Sequence, residues 1–142
     1  MRKFLSKVNH DRVVAAIREA EAKSSGEIRV HLDHRKVTDP LAEGRAVFER
    51  LGMTGTSERN GALIFVAPRS KKFAILGDTG IHEKCGDDFW ASAAEALSGH
   101  FRGGRFTEGL VDAIARLGDK LAEHFPPKAE RSHQIPGEID ES

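Results

Sequence analysis

ERNGALIFVAPRSKKFAILGDTGIHEK, residues 58–84, packs two apolar strand-like runs, a basic turn and a Gly-Asp-x-Gly corner into one short stretch. The runs are Ala62 to Ala67 and Phe73 to Leu76, joined by Pro68-Arg69-Ser70-Lys71. Short apolar runs separated by a Pro-containing turn predict a hairpin. Antiparallel strands return to their starting edge, so Asn60-Gly61 should lie beside Gly77-Asp78. Two polar corners then meet, and an acidic site can form between them.

Upstream, Asn9 reads as the N-cap of a helix carrying Val13, Ala16, Ile17 and Ala20 on one face. Ser24-Ser25-Gly26 stops it. From Glu27 the period changes to two, with Ile28, Val30 and Leu32 on one side and Glu27, Arg29, His31 and Asp33 on the other. Asp39-Pro40 predicts a second helix with stripe Leu41, Phe48 and Leu51, Val47 beside it, ending at Gly52. Strand, helix, strand implies a right-handed crossover with the two strands parallel.

Two helices are expected after the hairpin. Asp87 or Asp88 would cap one bearing Trp90, Ala93, Ala94, Leu97 and Phe101, and Gly103-Gly104 would break it. The last carries Phe106, Leu110, Ile114, Leu117, Leu121 and Phe125 at steps of three and four, and stops at Pro126-Pro127. Residues 1–127 form one α/β domain by this reading. Residues 128–142, polar and aperiodic, are expected to be a disordered tail. The sum is an α/β sandwich whose helices cover a short mixed sheet.

Composition narrows the function. The chain has 142 residues, with 22 basic side chains against 22 acidic ones. A neutral chain with mixed signs lacks the basic footprint of a nucleic-acid binder. One cysteine, Cys85, permits no internal disulfide and fits a reducing compartment. No apolar run is long enough to span a membrane, and Met1 to Lys7 has the charges of a signal peptide without its apolar segment. A cytoplasmic monomer is the expectation.

If the strands from Glu27 and Ala62 are parallel, Glu27, Arg59, Asn60 and Asp78 share one sheet edge. Two carboxylates and an amide suit a hard divalent cation, Ca²⁺ or Mg²⁺, with Glu27, Asp78 and Asn60 as ligands. Arg59 and His82 would stand behind them or meet an anion. The plainer alternative has Asp78 supporting the turn into Gly80 and Glu27 pairing with Arg59. Asp78-Thr79-Gly80 spells the aspartic-protease triplet, but a single copy on a helix-rich chain does not supply the two carboxylates that chemistry needs. His31-Leu32-Asp33-His34 has metal-like composition; in a strand the two histidines face opposite ways, so a solvated strand end is expected. Cys85 has no arginine six positions on, where Ala91 sits, so no phosphatase loop forms around it. Trp90 belongs with the helix core, and Arg69, Lys71 and Lys72 form a solvated basic turn.

Ser25 to Val30, Arg59 to Val66 and Ala74 to Ile81, continued by Phe89-Trp90, Phe101 with Gly104, Gly109-Leu110 and Ile114, resemble the TPM domain family across residues 8 to 125. The resemblance implies a three-layer α/β/α sandwich and, in some members, a divalent cation at an acidic site. It brings a thylakoid-lumen acid phosphatase and several assembly-assisting proteins into view. Longer members carry an aspartate before the first helix, where this chain has Phe4-Leu5-Ser6-Lys7. The expectation is a metal-binding, non-enzymatic module serving a protein partner. The alternative is a weak metal-dependent phosphatase acting on a small phosphate ester.

Overall fold

The computed structural model describes residues 8–127 and 139–141. Asn9 caps α1 (His10–Ala22), its side chain accepting from the Arg12 amide, and Val13, Ile17 and Ala20 are the buried face. β1 (Glu27–Leu32) follows. Asp39 caps α2 (Pro40–Arg50) by accepting from Leu41 and Ala42, with proline in the first turn. Leu41, expected on the buried stripe, is instead exposed, and Gly44 takes the inner position. A Cβ there would stand 2.7 Å from Leu76 Cδ1, so the helix packs closely on the sheet and a larger residue would have to move the Leu76 side chain.

β2 (Gly61–Ala67) lies parallel to β1 with Glu27 opposite Gly61, as the crossover predicts. A short 3-10 turn over Pro68–Ser70 and a left-handed Lys71 lead into β3 (Lys72–Gly77), antiparallel to β2. Asp78 then caps α3 (Thr79–Cys85), a seven-residue helix not legible as periodicity. Gly86, with φ of 78°, turns the chain into α4 (Asp87–Arg102). The cap position is therefore Gly86, while Asp87 and Asp88 occupy the first turn, where their negative charge complements the positive end of the helix dipole. α5 (Phe106–His124) presents Leu110, Ile114, Leu117 and Leu121 to the core and packs against α1, with Gly118 admitting Ala20.

The sheet order is β3-β2-β1-β4, where β4 (Ile139–Glu141) runs parallel to β1. Residues 139–141, within the stretch expected to be a tail, form this strand, and residues 128–138 and 142 lie outside the described residues. Ile28, Val30, Leu32, Ala62, Ile64 and Val66 meet α1, α3, α4 and α5 on one face. Leu63, Phe65, Ala67 and Leu76 meet α2 on the other, together with Val37 and Met53. Helices on both faces of a mixed sheet make the three-layer α/β/α sandwich expected. No helix among the described residues is long and apolar enough to cross a membrane.

Candidate functional site

The predicted convergence of the hairpin ends is present, and it is held by backbone first. The Asp78 amide donates to the Gly61 carbonyl at 2.9 Å, and the Gly80 amide donates to the Arg59 carbonyl at 2.8 Å. Arg59 adopts a left-handed backbone (φ 52°), which aims that carbonyl at α3. Gly80 has no room for a side chain: a Cβ would lie 2.1 Å from the Glu58 carbonyl oxygen and 2.7 Å from that of Arg59. Only glycine lets the two backbones approach so closely.

Side chains complete the clasp. Arg59 Nε and Nη2 donate to the two oxygens of Asp78 at 2.6 and 2.9 Å, and the Thr79 amide donates to the same carboxylate at 2.7 Å. This is the bidentate fork that guanidinium and carboxylate geometry favours. Asp78 is buried, whereas 48 % of the Arg59 side chain is exposed. The bond to Asp78 pushes the Arg59 guanidinium further above its ordinary value. Beside the pair opens a cleft of about 390 Å³ lined by Arg45, Glu49, Arg59, Asp78, His82 and Glu83. His82 stacks on Trp90 with ring centres 5.7 Å apart, and Trp90 in turn fills the space over Gly77.

Glu27 and Asn60 do not join this site. Glu27 and the end of β3 flank β2, two strand spacings or roughly 10 Å apart. The space between is filled: over Gly61 the Met53 carbonyl and the Phe48 ring lie 3.2 and 3.4 Å from where a Cβ would stand. Buried Glu27 is instead 3.5 Å from Arg29, not paired with Arg59. The Asn60 amide nitrogen donates to Ser25 Oγ at 3.1 Å, and its backbone amide donates to Thr56. Its amide ties the loop to the start of β1. The three-ligand cation site read from the sequence is therefore not assembled. Among the described residues no group of three or more His, Cys, Asp or Glu side chains could hold a metal ion together.

A second polar constellation was missed by the sequence reading. The polar face of β1 is buried: Glu27, Arg29, His31 and Asp33 are each at most 3 % exposed. His31, expected at a solvated strand end, lies between Asp140 (Nδ1 to Oδ2 2.6 Å) and Asp33 (Nε2 to Oδ2 3.2 Å) and stacks on Phe65. Arg35 grips Asp33 through Nε and Nη2 at 2.9 and 2.7 Å, and that bond holds the Asp33 carboxyl well below the usual range. Burial alone would raise Asp140, but bonds from Arg50 and His31 hold it low as well. The signal lay in acidic and basic residues two positions apart, Glu27 with Arg29 and His31 with Asp33, which share one strand face and can meet there.

Cys85 is partly buried, and burial pushes its thiol up, so it is no activated nucleophile.

A TPM domain family profile matches residues 1–120. The chain is 39 % identical to the BA42 protein of the psychrophilic bacterium Bizionia argentinensis, whose NMR structure superposes with a TM-score of 0.84 over 95 % of each chain. The N-terminal domain of the cg2496 protein of Corynebacterium glutamicum shares the fold at a TM-score of 0.62 and 17 % identity, over 87 % of this chain and 79 % of that one. No curated protein sequence matches this chain.

Proposed function

The chain belongs to the TPM domain family, and from that premise we propose that it is a non-enzymatic binding module whose cleft takes a divalent cation at Asp78. One observation carries the reading. A buried carboxylate faces the cleft, and the charge that balances it is a half-exposed arginine able to swing into water. Glu49 and Glu83 line the same cleft and would add negative charge once Arg59 leaves. Such a site suits a hydrated ion held by one or two carboxylates, the manner in which Mg²⁺ is commonly bound, rather than a closed protein cage. Because the cation must displace Arg59, its affinity belongs in the millimolar range.

The non-enzymatic part rests on what surrounds Asp78. His82 is stacked on Trp90, and the thiol of Cys85 is held protonated by burial. Cys85 is therefore no poised nucleophile, and the His82 ring, though it lines the cleft, is packed face-on against Trp90. A second reading, weak hydrolysis of a phosphate ester, draws on Arg45, Arg59 and His82, which could meet an oxyanion in the same cleft. Titrating the protein with Mg²⁺, Ca²⁺ and inorganic phosphate while following its amide resonances separates the two. Cation-induced shifts at Asp78 support the module; phosphate-induced shifts with turnover of p-nitrophenyl phosphate would replace it with the hydrolase.

A further inference from the structure

The edge of β1 facing away from β2 is closed by two different devices. At Ile28 side chains close it: the amide donates to a Glu21 carboxylate oxygen at 2.7 Å, and the carbonyl accepts from Arg29 Nη1 at 2.6 Å. From Val30 to Leu32 a strand closes it, with Val30 opposite Ile139 and His31 opposite Asp140. An open strand edge is a template for pairing, which is why proteins plug it. Here the first plug is built from the domain's own frame, and the second is a strand described over Ile139–Glu141.

We propose that the Val30–Leu32 edge is a docking slot for an extended acidic segment of a partner protein, one placing an apolar residue and then an aspartate beside Val30 and His31, and that residues 139–141 are its built-in occupant. The chemistry of His31 sets the selectivity. His31 stands between two carboxylates, its Nδ1 2.6 Å from Asp140 Oδ2 and its Nε2 3.2 Å from Asp33 Oδ2. Removing Asp140 would take away the 2.6 Å contact of the buried His31 ring and the 2.9 Å contact of Arg50. Those two contacts are what an incoming strand has to replace, so the slot favours one that brings a carboxylate. Strand addition supplies the main-chain bonds, and the aspartate supplies the discrimination. Because Glu21 and Arg29 block the edge at Ile28, the slot reads a short motif.

The occupant competes from within the same chain at an effective concentration on the order of millimolar. The test therefore uses full-length protein, wild type and Asp140→Asn, with a fluorescent peptide carrying the sequence of residues 137–142 and a second peptide with asparagine in place of its aspartate. In Asp140→Asn, amide exchange across Val30–Leu32 should quicken at least tenfold. The acidic peptide should bind that variant at least tenfold more tightly than it binds wild type, and more tightly than the asparagine peptide does. Should Asp140→Asn fail to fold, Arg50→Gln alters the same contact from a half-exposed side chain and should show the same order of binding. Unchanged exchange, or equal binding of the two peptides, overturns the proposal. So does dimer formation by the variant, which would make a second copy of the chain the occupant.

Discussion

Gly80 lies against the peptide of Arg59 with its amide 2.8 Å from the Arg59 carbonyl and no space for a methyl group. The obstructing atoms are backbone carbonyl oxygens at 2.1 and 2.7 Å, which cannot turn aside as a flexible side chain could. Gly80→Ala should therefore cost about 1–3 kcal/mol or more, the range for forced overpacking. Gly52→Ala, where the surroundings are open and only φ of 72° is unfavourable, should cost less. Thermal unfolding of both variants checks the order; a milder effect at Gly80 would mean that the clasp relaxes easily.

Asp78 caps α3 as well as pairing with Arg59. Asp78→Ala should lower stability by about 1 kcal/mol, the usual consequence of a lost cap, and leave the fold intact. Arg59→Ala should leave Asp78 facing the cleft unbalanced and raise cation affinity. Denaturant midpoints and amide spectra of the two variants measure each effect separately.

Asp33 and Asp140 are both held below the ordinary carboxylate range in the folded state. A depressed folded value means that the unfolded chain takes up protons first as pH falls. Their stabilisation is thus complete above about pH 5 and is lost progressively on acidification through and below the carboxylate range. The melting temperature should fall on acidification, and Asp33→Asn should show a shallower fall from a lower neutral-pH value. A variant with the full wild-type acid slope would place the titrating groups elsewhere.

Cys85 should be alkylated slowly at neutral pH. Burial raises its thiol, and the thiolate is the reactive form. Iodoacetamide should modify the native protein more slowly than the urea-unfolded chain; faster native labelling would mark an activated thiol and revive an enzymatic role.

The hairpin, the parallel crossover and the meeting of Arg59 with Asp78 were all legible, because strand period and chain reversal are local geometry. Glu27 was misplaced for a different reason. Sharing a sheet edge does not mean sharing a site, and the sequence alone did not reveal Phe48 and Met53 packed over Gly61 between the two carboxylates. The α3 helix escaped notice since seven residues hold too little periodicity to separate from a Gly-rich turn. His31 looked solvent-facing because its partner Asp140 stands 109 positions away, beyond the reach of any pattern rule.

Exchange of Arg59 for a cation at Asp78 is tested most directly by amide NMR titration of wild type, Arg59→Ala and Asp78→Ala with Mg²⁺ and then Ca²⁺. Shifts confined to Arg59 to Gly61 and Gly77 to His82, tighter in Arg59→Ala and absent in Asp78→Ala, are the predicted result. No shift at millimolar ion, or an undiminished response in Asp78→Ala, would contradict it.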